Sequence, residues 1–225
     1  MINTYNEKDL HNDIKHYLYQ SNDLLESPYK GFIIDIKRKD LLIEIQTKSF
    51  NALRKKLERL LDINRIRIVY PIILNKEIIL LSTDNTLLHK RLSPKHGNIS
   101  DVFEELIFIP ELFRHMNLEI QLLLVSIQEI RKDDGNGSWR RNGVSIINTK
   151  LKEIHEDHLI KDAVQLFKFL PQNIITNSPF TTKDLSSAMK IKMNRAQKIC
   201  YFFKKMDLIE PISKKGRLTV YQMIK

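Results

Sequence analysis

The sequence holds one cysteine, Cys200, which leaves no partner for an internal disulfide and no thiolate set for a Cys-based zinc site. A reducing interior fits, and the cytoplasm is the expected location. Cys200 itself falls with Ala196, Ile199 and Phe203 in one helical stripe and reads as a core residue. The glycines form no Gly-x-x-x-x-Gly-Lys-Ser/Thr loop, Gly-x-Gly-x-x-Gly turn or Gly-x-Ser-x-Gly elbow, which removes the commonest nucleotide-binding and serine-hydrolase readings. Long apolar runs are missing too. Stretches such as Leu122 to Val125 are far too short to span a bilayer, and the opening MINTYNEKDLHNDIKHYLYQ lacks the basic-then-apolar order of a signal peptide. No membrane association is expected. Repeats and low-complexity tracts are also lacking, and the seven histidines offer no metal set: His155, Glu156 and His158 read as a solvated helix surface.

What is present is an ordinary globular composition, 42% hydrophobic and 28% charged, in a chain of 225 residues long enough for two small domains. The charge balance is less ordinary. With 37 Lys and Arg against 27 Asp and Glu, the net charge is +10, which favours polyanions through Coulomb attraction and counterion release.

Leu10, Ile14, Tyr17 and Leu18 predict a helix over about 7–19, followed by loop chemistry in SNDLLESPYKG. The period then changes to two. GFIIDIKR and LLIEIQTK predict a hairpin, Ser49 caps a helix bearing Phe50, Leu53, Leu57, Leu60 and Leu61, and RIRIVYPIIL and KEIILLST predict two further strands. A capped helix interrupted by Pro110 comes next, then the apolar NLEIQLLLVSIQEIRK and an exposed tip in DDGNGSWRRNG. From about residue 150, Leu151, Ile154, Leu159, Val164, Phe167 and Leu170 suggest another helix.

Within LLIEIQ, alternation puts Leu41, Ile43 and Ile45 on one face and Leu42, Glu44 and Gln46 on the other. A carboxylate and an amide on that second face need a reason, and metal-assisted phosphodiester hydrolysis supplies one. It requires hard oxygen ligands held close together, and Asp35 and Glu44 on adjacent antiparallel strands meet that demand, with the Ile45 carbonyl as a third ligand and Gln46 beside the water. As plain polar positions of a half-exposed hairpin they would instead pair with Lys37 or Lys48. Glu7 has a simpler explanation, since the helix dipole favours a carboxylate in the first turn.

Residues 7 to about 82 resemble the PD-(D/E)XK, or restriction-endonuclease-like, nuclease superfamily in element order and in the placing of Asp35 and Glu44-Ile45-Gln46. The resemblance implies a mixed sheet flanked by helices, Mg²⁺ or Mn²⁺ held by Asp35, Glu44 and Ile45, and catalysis by Asp35, Glu44 and Gln46. No proline precedes Asp35. Gln46 stands where the superfamily usually has lysine, although Glu-x-Gln variants occur among restriction endonucleases. By strand parity Lys37 or Lys48 is a candidate for the missing cation, Lys48 being the one carried into the catalytic set.

FTTKDLSSAMKIKMNRAQKICYFFKKMDLIEPISKKGRLTVYQM gives a short helix, a turn, a longer helix and a hairpin near Lys215-Gly216, the order of a winged helix-turn-helix. Its second helix is expected to offer Asn194, Arg195, Gln197 and Lys198 to DNA, with Lys214, Lys215 and Arg217 on the wing. Trp139, Arg140 and Arg141 could stack on bases and grip phosphates, or Trp139 could tether the tip by packing. RLSPKHG, with Arg91, Lys95 and His96, is a second basic loop.

The expected protein is therefore α/β, with a PD-(D/E)XK-like nuclease domain over 1–148 and a winged-helix-like domain over 150–225. The expected activity is metal-dependent cleavage of DNA. Rival readings are a non-catalytic DNA-binding regulator on a degenerate nuclease core, and a scaffold whose C-terminal domain docks a protein; a homodimer is a further partner expectation.

Overall fold

The computed structural model describes residues 5–176 and 179–224, which form an α/β protein with a mixed sheet flanked by helices. It divides into two compact units: Met1–Thr47, Ile68–Asn98 and Gln121–His158 in the first, and Lys48–Arg67, Ile99–Ile120 and Leu159–Lys225 in the second. The expected boundary at 148–150 falls inside a strand. The second unit also draws in two earlier segments, because apolar helical residues far apart in sequence share its core.

The first unit contains helix α1 (Tyr5–Leu18) and strands β1 (Leu24–Tyr29), β2 (Phe32–Arg38), β3 (Leu41–Ile45), β4 (Arg65–Leu81), β5 (Leu87–Leu92), β6 (Leu118–Asp133) and β7 (Val144–Ile160), the longest of which carry residues of both units. Sheet order is β1-β2-β3-β4-β6-β7, with β5 also paired to β4. The β1–β3 meander is antiparallel, with Tyr29 opposite Phe32 and Ile36 opposite Ile43. Residues 24–29, expected as loop, pair because Lys30 and Gly31 both take positive φ, which closes a two-residue hairpin turn. Pro28 is tolerated since β1 is an edge strand.

Leu10 and Ile14, one helical turn apart, pack on Ile36, Leu41, Ile43, Ile45, Val69, Leu123, Val125 and Ile127. Each such burial contributes about 1.5–3 kcal/mol, which is why the alternation of β3 was legible. Its other face is not open, however. All five residues of β3 are buried, Leu42 and Glu44 included.

Two expectations fail in the long strands. RIRIVYPIIL and KEIILLST form one strand, since Asn75 and Lys76 continue it without a turn. The helix expected from Leu151 is instead β7 followed by a 3₁₀ turn over Val164–Phe169. Pairing beside β6 outweighs the helical spacing, and Leu151 and Ile154 pack against the sheet core.

In the second unit a 3₁₀ turn at Phe50–Leu53, capped by Ser49, leads into α2 (Arg54–Leu60). Helices α3 (Phe103–Leu106) and α4 (Pro110–Phe113) are separated where Pro110 opens the second. Then follow α5 (Gln172–Thr176), β8 (Phe180–Thr181), α6 (Thr182–Met189), α7 (Met193–Lys205), β9 (Ile209–Lys215) and β10 (Leu218–Met223). This is the short helix, turn, longer helix and hairpin expected, with β8 completing an antiparallel sheet in the order β8-β10-β9. Thr181 and Asp184 form a capping box on α6, and Gly216 supplies the positive φ of the hairpin turn. Phe103, Phe202 and Phe203 meet with centroids 5.4–5.7 Å apart, and Cys200 is buried beside them on α7, its thiol pushed up to about 12 by desolvation.

Candidate functional site

The β2–β3 pairs run from Arg38 opposite Leu41 to Ile36 opposite Ile43, so the next residues outward are Asp35 and Glu44. At that point a side chain takes over a main-chain group. Asp35 Oδ2 accepts the Ile45 N–H at 2.8 Å and lies 3.1 Å from His11 Nε2 on α1. The Gln46 N–H is directed to the Val69 carbonyl at 2.8 Å, which ties the end of β3 to β4. One turn along α1 from His11, Lys15 is 5% exposed and donates to Glu26 at 2.7 Å.

Burial alone would raise the Asp35 pKa. The hydrogen bond and charge of His11, the Ile45 N–H and the nearby Lys15 cation outweigh it and hold the carboxyl below its ordinary value. Asp35 is thereby fixed as a carboxylate against the Ile45 main chain. His11 and Lys15 escaped the sequence reading, although their four-residue spacing on a helix was the available signal.

The remaining predicted residues are placed as follows. Glu44 is 4% exposed, on a strand covered on both faces. Strand β3 ends at Ile45, so Gln46 is half-buried just beyond it and Lys48 is exposed in a bend; strand parity does not carry to either. Lys37 places its ammonium 4.5 Å from the centre of the Tyr29 ring. Among the described residues no three His, Cys, Asp or Glu side chains are grouped to hold a metal. Two carboxylates and a main-chain carbonyl are a smaller donor set than that, and they are the hard oxygen type that Mg²⁺ accepts alongside water and phosphate. The Glu7 side chain lies outside the described residues.

On the loop before β7, Trp139 is 81% exposed, so packing does not tether it, and the Arg140 guanidinium lies 5.4 Å from its ring centre. Arg141 is held by its own turn, donating from Nε to the Val144 carbonyl at 3.1 Å. In the second unit, Arg195 pairs with Asp101 and Glu104, and Lys198 with Glu104. These two cations of α7 are therefore turned toward α3 and the segment before it, and their charge is neutralised there. Asn194 and Gln197 are exposed, as are Lys214, Lys215 and Arg217 on the β9–β10 hairpin.

The strand geometry of β7 also separates His155 from His158. His158 pairs with Glu156 at 2.7 Å, whereas His155 Nε2 meets Ser126 Oγ at 2.6 Å beside a cavity of about 310 Å³ lined by Asn75, Glu77, Lys152 and Glu153. Glu153 is 3.7 Å from His155 Nδ1, beyond hydrogen-bond reach, so the arrangement is a cross-strand polar network and not an oriented nucleophile–base–acid series.

Fold and site together define an α/β protein with a carboxylate fixed where two adjacent strands stop pairing. The chain belongs to the family described as Domain of unknown function (DUF8091), whose model matches residues 8–161. That match covers Asp35, Glu44 and all of β7, and leaves α5 to β10 outside it. The chain is also similar to an uncharacterized protein of Treponema pallidum (strain Nichols), 27% identical over 225 residues, 98% of this chain and 87% of that protein. No solved structure matches it. Among the described residues no helix is long and apolar enough to cross a membrane.

Proposed function

We propose that the protein is a metal-dependent nuclease that hydrolyses phosphodiester bonds in DNA, on a restriction-endonuclease-like core formed by α1, β1–β3, α2 and β4, with a winged helix at its C-terminal end. One observation carries this reading: Asp35 on β2 is fixed against the Ile45 main chain, next to Glu44, where the β2–β3 ladder stops. Asp35, Glu44 and the Ile45 carbonyl would hold Mg²⁺ or Mn²⁺. A bound ion supplies charge at the scissile phosphate and lowers the pKa of an attacking water. His11 orients Asp35 and keeps it ionised; Gln46 hydrogen-bonds the water without adding positive charge. Lys48, exposed in its bend, and Lys37, over Tyr29, are the candidates for the cation that Gln46 lacks.

The burial of Glu44 favours a second reading, a DNA-binding protein on a degenerate nuclease core. Metal titration separates the two. The full chain is titrated with Mn²⁺ and incubated with plasmid and short duplex DNA, with and without EDTA. Saturable Mn²⁺ binding and EDTA-sensitive cutting, both lost in Glu44→Ala, are expected of the nuclease. DNA binding with neither property leaves the regulator.

A further inference from the structure

We propose that the solvent face of α7 reads adenine-containing sites in duplex DNA through Asn194 and Gln197, while lysines and an arginine around it hold the phosphates. This rests on the DNA-binding half of the reading above and is independent of the cleavage chemistry. Residues 159–225 contain thirteen Lys and Arg against four Asp and Glu, so they hold +9 of the chain's +10. From 185 to 206 there is no acidic residue at all. A surface of that sign draws a polyanion and gains from counterion release.

The structure then decides which part of α7 meets it. Arg195 and Lys198 are paired with Asp101 and Glu104, and Ala196, Ile199, Cys200 and Phe203 are core. Among the exposed side chains of α7, Asn194, Gln197 and Tyr201 are spaced three and four residues apart and therefore lie in one stripe, Tyr201 at 45% exposure. A carboxamide presents a donor and an acceptor side by side, which matches N7 and the N6 amino group of adenine in the major groove. Two carboxamides one turn apart on an exposed helix fit the width of that groove, whereas the deep, narrow major groove of an RNA duplex would exclude the helix. Exposed Lys192 and Lys204 flank the stripe at its two ends, and Lys214, Lys215 and Arg217 sit on the hairpin, where charge without base-reading geometry suits phosphate.

The test uses the full chain in EDTA, so that cleavage plays no part and failure of the nuclease reading leaves it unaffected. Selection from randomised duplexes should enrich adenine-containing sites. Asn194→Ala with Gln197→Ala should lower affinity for the enriched site by about 10- to 100-fold, in line with the discrimination carried by bidentate pairs, and leave binding to unrelated duplex nearly unchanged. Lys214→Ala with Lys215→Ala should weaken binding to all duplexes alike and reduce the slope of log K against log salt by about 2. Circular dichroism and melting of each variant check the fold; both pairs are exposed and should melt like the wild type. Lack of any enrichment, enrichment unchanged in the Asn194/Gln197 variant, or equal binding to heparin and selected duplex would each overturn the proposal.

Discussion

Asp35 in the first unit and Arg195 in the second were both marked from the sequence as working charges, and both are held by opposite or complementary groups, with contrary consequences. Asp35 meets His11 and a main-chain N–H, which orient it and keep it ionised. Arg195, with Lys198, meets two carboxylates that cancel its charge and turn it toward α3. A partner that orients keeps the charge available; one that neutralises cancels it. The units differ in overall charge in the same sense, since the first is neutral and the second carries all of the +10.

The largest expected effect tests the acidic side of that contrast. Asp35→Ala should abolish metal-dependent cutting of plasmid DNA, and so should Glu44→Ala; persistence of equal cutting in both would remove the site from consideration. Next is the core that holds the basic side in place. Phe203 packs against Phe103, Phe167 and Phe202, so Phe203→Ala should destabilise the protein by about 3–5 kcal/mol, measured by denaturant unfolding.

A smaller change would convert one kind of partner into the other. Glu104→Gln removes the carboxylate shared by Arg195 and Lys198. Affinity for unrelated duplex DNA should rise several-fold and its salt dependence should steepen by about 1. Unchanged binding would mean that the freed cations do not reach the DNA.

The pH dependence is more modest. Because the folded Asp35 pKa is depressed, its contribution to stability is present above the unfolded value of about 3.9 and is lost as pH falls through the folded value. His11→Ala removes a hydrogen bond and a charge that depress that pKa, so burial weighs more against the remaining Ile45 N–H and Lys15. The acid-unfolding midpoint should therefore move to higher pH; a shift downward would contradict the pairing. Smallest of all is Trp139→Ala, which at 81% exposure should change unfolding free energy by less than about 0.5 kcal/mol.

The short-range features of the fold were legible before any coordinates. The β2–β3 hairpin, α6 and α7 show because period-two and helical apolar patterns record burial directly, and Cys200 fell into the stripe that the core receives. The β1 strand was missed because its turn chemistry, positive φ at Lys30 as well as at Gly31, is not announced by an Asn-Gly or Asp-Gly pair. The β7 strand was missed because apolar residues at 151, 154 and 159 satisfy a helical spacing until β6 is there to pair with.

The sequence by itself determined the α/β class, the positions of Asp35 and Glu44 on neighbouring strands, and the concentration of positive charge beyond residue 158, since each depends on local pattern or on counting. Only the tertiary structure decided that His11 reaches Asp35, that Glu44 is covered, and that Asp101 and Glu104 take Arg195 and Lys198 while leaving Asn194 and Gln197 exposed. Those outcomes depend on partners 24 to 94 positions away in the chain, and no periodicity within one element encodes which distant charge will come to rest beside it.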